Sequence, residues 1–141
     1  MELEIAKQKA IAYIVKSKKT ENEVRLKLKK LGFDIDIVEE VITYFKNLGY
    51  IDDNEYVDAY MRQCMRLQNY SLFEIKNKLL QKGIKKDIIE KKIQKFEDKN
   101  SNYEKNIVEK LLNTKLKNME EIKQKQYLFR RRFKNISIYD D

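Results

Sequence analysis

Thr20-Glu21-Asn22-Glu23-Val24-Arg25-Leu26-Lys27-Leu28-Lys29-Lys30-Leu31-Gly32 is followed, 51 residues on, by Ser71-Leu72-Phe73-Glu74-Ile75-Lys76-Asn77-Lys78-Leu79-Leu80-Gln81-Lys82-Gly83. Both stretches open on a hydroxyl residue with Glu three positions later. That is the capping box, in which the hydroxyl accepts from the third helical N–H and the Glu reaches back to the cap amide. Both close on Gly, the residue that most readily takes the left-handed turn ending a helix. Each is therefore a short helix with both of its ends written in the sequence.

Aligning the two glycines places Leu28 on Leu79, Phe33 on Ile84, Asp36 on Asp87, Ile37 on Ile88, Ile42 on Ile93 and Phe45 on Phe96. A third copy follows 49 residues further on, with Leu128 on Leu79, Phe133 on Ile84, and Arg132 at the glycine position. Apolar residues recur at intervals of three and four throughout: Leu3, Ala6, Ala10, Tyr13; then Ile37, Val41, Phe45, Leu48. This is the stripe of an amphipathic helix, and proline is absent from all 141 residues. The spacing predicts helices over 2–16, 21–31, 36–48, 53–68, 72–82, 86–98, 102–117 and 120–132, with a last turn from 136. Asp36 and Asp52 are expected N-caps, and Ser101 to Glu104 is expected to form a third capping box. The expected fold is all-α: three tandem three-helix repeats, 1–51, 52–100 and a degenerate 101–141. They stack into an elongated, curved body whose last repeat is truncated.

Composition removes whole classes of function. With no His and one Cys there is no Ser-His-Asp or Cys-His nucleophile, no internal disulfide and no thiolate or imidazole zinc site. Three scattered glycines make no phosphate-cradling loop, no run approaches a membrane span, and the charged N-terminus lacks a signal-peptide core. These features describe a basic, cytoplasmic, non-enzymatic protein without cofactor or membrane contact. The net charge is +8, from 31 Lys and Arg against 23 Asp and Glu. Much of the excess is Lys in a chain also rich in Ile and Asn, so part of it reflects coding bias rather than a partner.

At this point the chain resembles the RecX family of recombination regulators. The resemblance lies in Ala10-Ile-Ala-Tyr-Ile-Val followed by the capped stretch from Thr20 to Phe33; in Leu48-Gly-Tyr-Ile-Asp-Asp-Asn-Glu-Tyr-Val-Asp-Ala-Tyr-Met-Arg62; and in Ser71 through Ile84. It extends over about residues 6–134. Three departures stand out. Cys64 sits where the family often has a basic residue, Arg132 replaces the third-repeat glycine, and the last helix is shortened. The resemblance implies a monomeric modulator of the RecA recombinase that binds the RecA–single-stranded-DNA filament and inhibits its ATPase, strand-exchange and co-protease activities. Some members also contact DNA directly, and the family has no catalytic residues of its own.

Basic residues crowd the middle helix of each copy and its flanks. The candidate contacts are Lys18, Lys19, Arg25 and Lys29; Lys76, Lys82 and Lys85; and Lys125, Arg130, Arg131 and Arg132. Arg62 and Arg66, one turn apart on the central helix, join them, as does Tyr70 as a base-stacking or docking residue. Aligned by stacking, such helices form a basic stripe that follows a phosphate backbone or an acidic protein surface. The plain alternative for any one lysine is a solvated helix face. An acidic block over 34–58, eight carboxylates to one lysine, is explained chiefly by caps and first turns. Two rival readings remain: a helix-turn-helix-like nucleic-acid binder with no recombinase partner, and an adaptor that uses the acidic block. Against the first, the helices display Lys, which positions, more than the Asn, Gln and Arg that read bases.

Overall fold

A computed structural model describes residues 1–134. The last turn expected from 136, with Ile136, Ile138 and Tyr139, lies outside the described residues. Eight helices and no strand occur among the described residues: α1 (Glu2–Ile14), α2 (Glu21–Lys30), α3 (Ile35–Asn47), α4 (Asp53–Leu67), α5 (Leu72–Gln81), α6 (Lys86–Lys99), α7 (Tyr103–Leu112) and α8 (Glu121–Arg130).

Both quoted capping boxes form. The Thr20 hydroxyl accepts from the Glu23 amide at 3.1 Å while the Thr20 amide donates to the Glu23 carboxylate at 2.9 Å. Ser71 and Glu74 repeat the pattern at 3.1 and 2.9 Å. Asp52 caps α4 by accepting from the Glu55 amide at 3.1 Å. The middle helices also end alike. Phe33, Ile84 and Phe133 donate their amides back to the carbonyls of Leu28, Leu79 and Leu128 at 3.3, 3.4 and 3.1 Å. In the third copy Arg132 takes the glycine's part at φ 61°, against 93° for Gly32 and 82° for Gly83. The turn is kept although the residue that makes it easy is lost.

Three expectations change. The third capping box is absent: α7 starts at Tyr103 after Asn102, which makes no side-chain cap bond. Helix α7 stops at Leu112 rather than near 117. The Thr114 hydroxyl bonds back to the Lys110 carbonyl at 2.7 Å, a geometry that competes with helix continuation. The chain then turns so that Leu116, fully buried, plugs the core, its carbonyl held by the Gln124 amide at 2.7 Å. Helix α3 begins one residue early, with Asp34 at the cap position and Asp36 in the first turn, because Ile35 already has helical backbone.

Two apolar cores form. One belongs to the first repeat: Ala6, Ala10, Val24, Leu28, Val38, Val41, Ile42 and Phe45. The other runs unbroken from α4 to α8, so that Ile75, Leu79 and Ile89 share it with Ile107, Leu116, Leu128 and Phe133. Repeat three completes the core of repeat two. Leu28, Leu79 and Leu128, equivalent in the repeat register, are each 0% exposed. Burial of each contributes about 2 kcal/mol. Cys64 is buried in the second core, which pushes its thiol up to about 11 and leaves it a small apolar filler.

Candidate functional site

What positions the basic helices is a joint used twice. The Thr20 hydroxyl, besides capping α2, donates to the Lys82 carbonyl at the end of α5, at 2.8 Å. The Ser71 hydroxyl, capping α5, donates to the Arg131 carbonyl at the end of α8, at 2.5 Å. Beside each, the first amide of the middle helix meets a carboxylate from the first helix of the next repeat: Glu21 N–H to Asp53 at 2.9 Å, and Leu72 N–H to Glu104 at 2.7 Å. A third contact also repeats. The box carboxylate takes the cation at the end of the next middle helix: Glu23 with Lys82 at 3.6 Å, and Glu74 with Arg131 at 2.9 Å. The C-terminus of α8 thus abuts the N-terminus of α5, and that of α5 abuts α2. The three middle helices run head to tail, the arrangement their dipoles favour.

The two joints are not equally tight. Arg131 grips Glu74 through both Nε and a terminal nitrogen, at 3.1 and 2.9 Å, and also bonds the Tyr127 hydroxyl and the Asn69 carbonyl. Buried Glu104 accepts from Leu72 and Lys134 amides, both at 2.7 Å. Burial alone would raise the Glu74 carboxyl, but Arg131 and the Ser71 cap outweigh it and hold it below the usual range. At the first joint Asp53 is instead raised by burial, which outweighs the hydrogen bond from the Glu21 amide. There Gly83 lies so close to Asn22 that an added Cβ would sit 2.4 Å from it.

The candidate cations divide into two sets. Seven are engaged by carboxylates. Arg25 bonds Glu39 at 2.7 Å and Glu21 at 3.1 Å and braces α2 against α3. Arg131 and Lys82 belong to the joints. Lys76 pairs with Glu90, Lys125 with Glu121, and both Lys18 and Arg62 with Glu55, at 3.0–3.7 Å. The other six, Lys19, Lys29, Arg66, Lys85, Arg130 and Arg132, have no carboxylate within 4 Å among the described residues; Lys19 bonds Ser17 and lies 4.6 Å from the Tyr13 ring centroid. Tyr70 is half-buried against the second core and its ring sits under Lys78 at 4.5 Å, so it is packed rather than splayed for a base.

These residues gather in two places. At the first joint Lys18, Lys19 and Lys82 line a groove of about 340 Å³ together with Tyr56 and Tyr60. At the second, Arg132 lies between two exposed rings, its guanidinium 5.0 Å from Phe129 and 5.9 Å from Phe73, with Arg130 next to Phe129 in sequence at the end of α8. One helix, α5, separates the clusters, roughly 15 Å at 1.5 Å per residue. Lys85 lines a separate pocket beside the first joint with Glu21, Asp53 and Gly83, while Lys29 lines neither pocket. Phe73 and Phe129 were not anticipated. Their signal is that they fall off the stripe of Leu72, Ile75 and Leu79, and off that of Leu128, while being about half exposed. Five of the eight carboxylates of the acidic block are engaged internally: Glu39 on Arg25, Asp52 on its cap, Asp53 on the joint, Glu55 on Arg62, Asp58 on Lys92. No group of three or more metal-ligating side chains converges among the described residues. No described helix is long and apolar enough to cross a membrane.

Comparison with known proteins agrees on the family. Residues 6–45 match the first three-helix domain of RecX and residues 52–93 the second. Among curated relatives, the regulatory protein RecX of Clostridium acetobutylicum is 36% identical over 98 residues, 70% of this chain and 45% of the relative. That of Clostridium perfringens is 32% identical over 126 residues, 88% of this chain and 58% of the relative. The chain spans about half the length of the curated relatives it matches. The crystal structure of RecX from Lactobacillus salivarius superposes with a TM-score of 0.78 at 27% identity, covering 92% of this chain and 86% of that one.

Proposed function

The chain belongs to the RecX family, and from that premise we propose that it binds the RecA–single-stranded-DNA filament and inhibits its ATP hydrolysis, strand exchange and co-protease activity. The observation that carries the reading is the repeated joint, which strings the cation-bearing middle helices head to tail. Weak contacts from each cluster then act together on one repetitive partner, at high effective concentration. The protein acts by occupancy rather than chemistry, as a monomer in the cytoplasm. The contacts that matter are the cations with no carboxylate partner among the described residues, Arg130 and Arg132 first, while Arg25 and Arg131 hold the scaffold.

The second reading, a nucleic-acid binder with no recombinase partner, is favoured by one observation: Phe73 and Phe129 bracketing Arg132 form a surface on which bases can stack. One experiment separates the two. ATP hydrolysis by the cognate RecA on single-stranded DNA is measured with sub-stoichiometric amounts of this protein. The first reading expects inhibition. Unchanged hydrolysis with tight binding to naked DNA refutes it and leaves the second.

A further inference from the structure

A different cleft, between α4 and α6, carries a more specific arrangement. Its floor is apolar: Met61 is buried, Met65 is 38% exposed, and Phe96 is half-buried. Lys95 and Lys99 stand around it with Arg62, whose guanidinium also bonds Glu55 at 3.0 Å, and Lys92 closes one side through a 2.9 Å pair with Asp58. The groove encloses about 550 Å³. Its cations outnumber its carboxylates four to one, and no carboxylate lies within 4 Å of Lys95 or Lys99 among the described residues. Positions 92, 95 and 99 form one stripe of α6 at helical spacing, as 58, 62 and 65 do on α4.

The first repeat shows that this charge is not required by the fold. In the 51-residue register, Ile11, Val41, Tyr44 and Leu48 occupy the positions of Arg62, Lys92, Lys95 and Lys99. Four apolar residues in one repeat are four cations in the other, around the same pair of helices. Where Ile14 is 9% exposed in the first repeat, its counterpart Met65 is 38% exposed.

We propose that the α4–α6 groove of the second repeat is a docking site for an acidic amphipathic helix of a protein partner, its apolar side chains on Met61, Met65 and Phe96 and its carboxylates on Arg62, Lys95 and Lys99. Two adjacent helices with an open cleft receive a third by anchors at i and i+3 or i+4, and the walls are about two turns long, roughly 10 Å. Thioether side chains on the floor adapt to the incoming apolar group. Nucleic acid fits less well. The Phe96 ring is already engaged edge to face with Tyr103, at 5.1 Å and 82°, and the floor offers no other ring on which a base could stack. The proposal does not rest on the recombinase reading, since it concerns a different face.

The test uses the full chain labelled with 13C at its methionine methyls; its four Met residues are Met1, Met61, Met65 and Met119. The probe is a capped peptide of about 14 residues, four helical turns, with Leu on one stripe and Glu elsewhere. The expected result is that Met61 and Met65 signals move while those of Met1 and Met119 do not. Lys95→Glu with Lys99→Glu should weaken binding about tenfold or more and admit the Leu/Lys version of the peptide. A melt of that variant confirms that it folds. Unmoved Met61 and Met65 at saturating peptide overturn the proposal, as does equal binding of the Leu/Gln version. So does an oligothymidylate of about 15 nucleotides that shifts Met65 where the acidic peptide does not.

Discussion

Ser71→Ala tests the joint directly, because one hydroxyl serves two helices. It accepts from the Glu74 amide at 3.1 Å and donates to the Arg131 carbonyl at 2.5 Å, and Ser71 is fully buried. Loss of an N-cap hydroxyl costs about 1 kcal/mol. Leaving the Arg131 carbonyl without its donor in a part-buried setting costs about 1 kcal/mol more. The sum, about 2 kcal/mol, corresponds to a fall in Tm of about 6–8 °C for a chain of this size. Thr20→Val removes the same two bonds at the first joint while keeping the side chain's shape, and should cost a similar amount. Urea unfolding followed by circular dichroism gives both numbers. A double-mutant cycle of Ser71→Ala with Glu74→Gln should show coupling, since the two share a box. A Ser71→Ala loss under about 0.5 kcal/mol, or strict additivity in the cycle, would refute the idea that the cap hydroxyl joins the repeats.

Arg132→Gly should raise stability by about 0.5–1 kcal/mol by relieving a left-handed residue, while weakening filament binding through loss of the guanidinium; a thermal melt and a filament-binding titration read the two effects. Arg130→Ala with Arg132→Ala should lower the slope of log affinity for the filament against log salt, whereas Arg131→Ala should lower the Tm instead, because it is spent on Glu74. Gly83→Ala should cost about 2–4 kcal/mol from the positive φ and the collision with Asn22, and Asn22→Gly should recover part of it in chemical unfolding. Stability should fall in acid. Glu21, held down by Lys46 and Arg25, Glu39, held down by Arg25, and Glu74 all titrate below their ordinary 4.5, so their contributions are full above that value and vanish as pH drops through the depressed ones. Asp53, raised above 3.8, works in the opposite sense over the same range, and Glu74→Gln should flatten the profile of urea midpoint against pH.

The helices and the starts of α2, α4 and α5 were legible because capping is local: Thr20, Asp52 and Ser71 each need only a partner three residues away, whereas the ends of α7 and the start of α3 depend on less local contacts. The left-handed turn at Arg132 was legible by register, though no local preference demands it. What could not be read was the second use of the same groups. Glu104 looks like the end of a capping box, yet it reaches 32 residues back to the Leu72 amide, the part that Asp53 plays for Glu21, although the 49-residue register places it on Glu55. Arg25 and Arg131 look like surface cations in a basic run, and only tertiary packing shows that carboxylates hold them. The charged cleft of α4 and α6 escaped for another reason: its lysines lie off the middle helix, on a third helix whose partner stripe is 34 residues away in sequence.

The inequality of the two joints has a mechanical side. Bend the row of middle helices and the strain collects at the softer connection. The second joint has a two-pronged Arg131 clamp and a core that runs through it; the first has two single-point lysine pairs, at 3.6 and 3.7 Å, and separate cores on either side. Repeats two and three are therefore expected to resist bending as one arm, with repeat one as the jointed fingertip. Under the proposed function, such a body adjusts to its partner by flexing between Thr20 and Lys82, without disturbing the arm that carries Arg130 and Arg132.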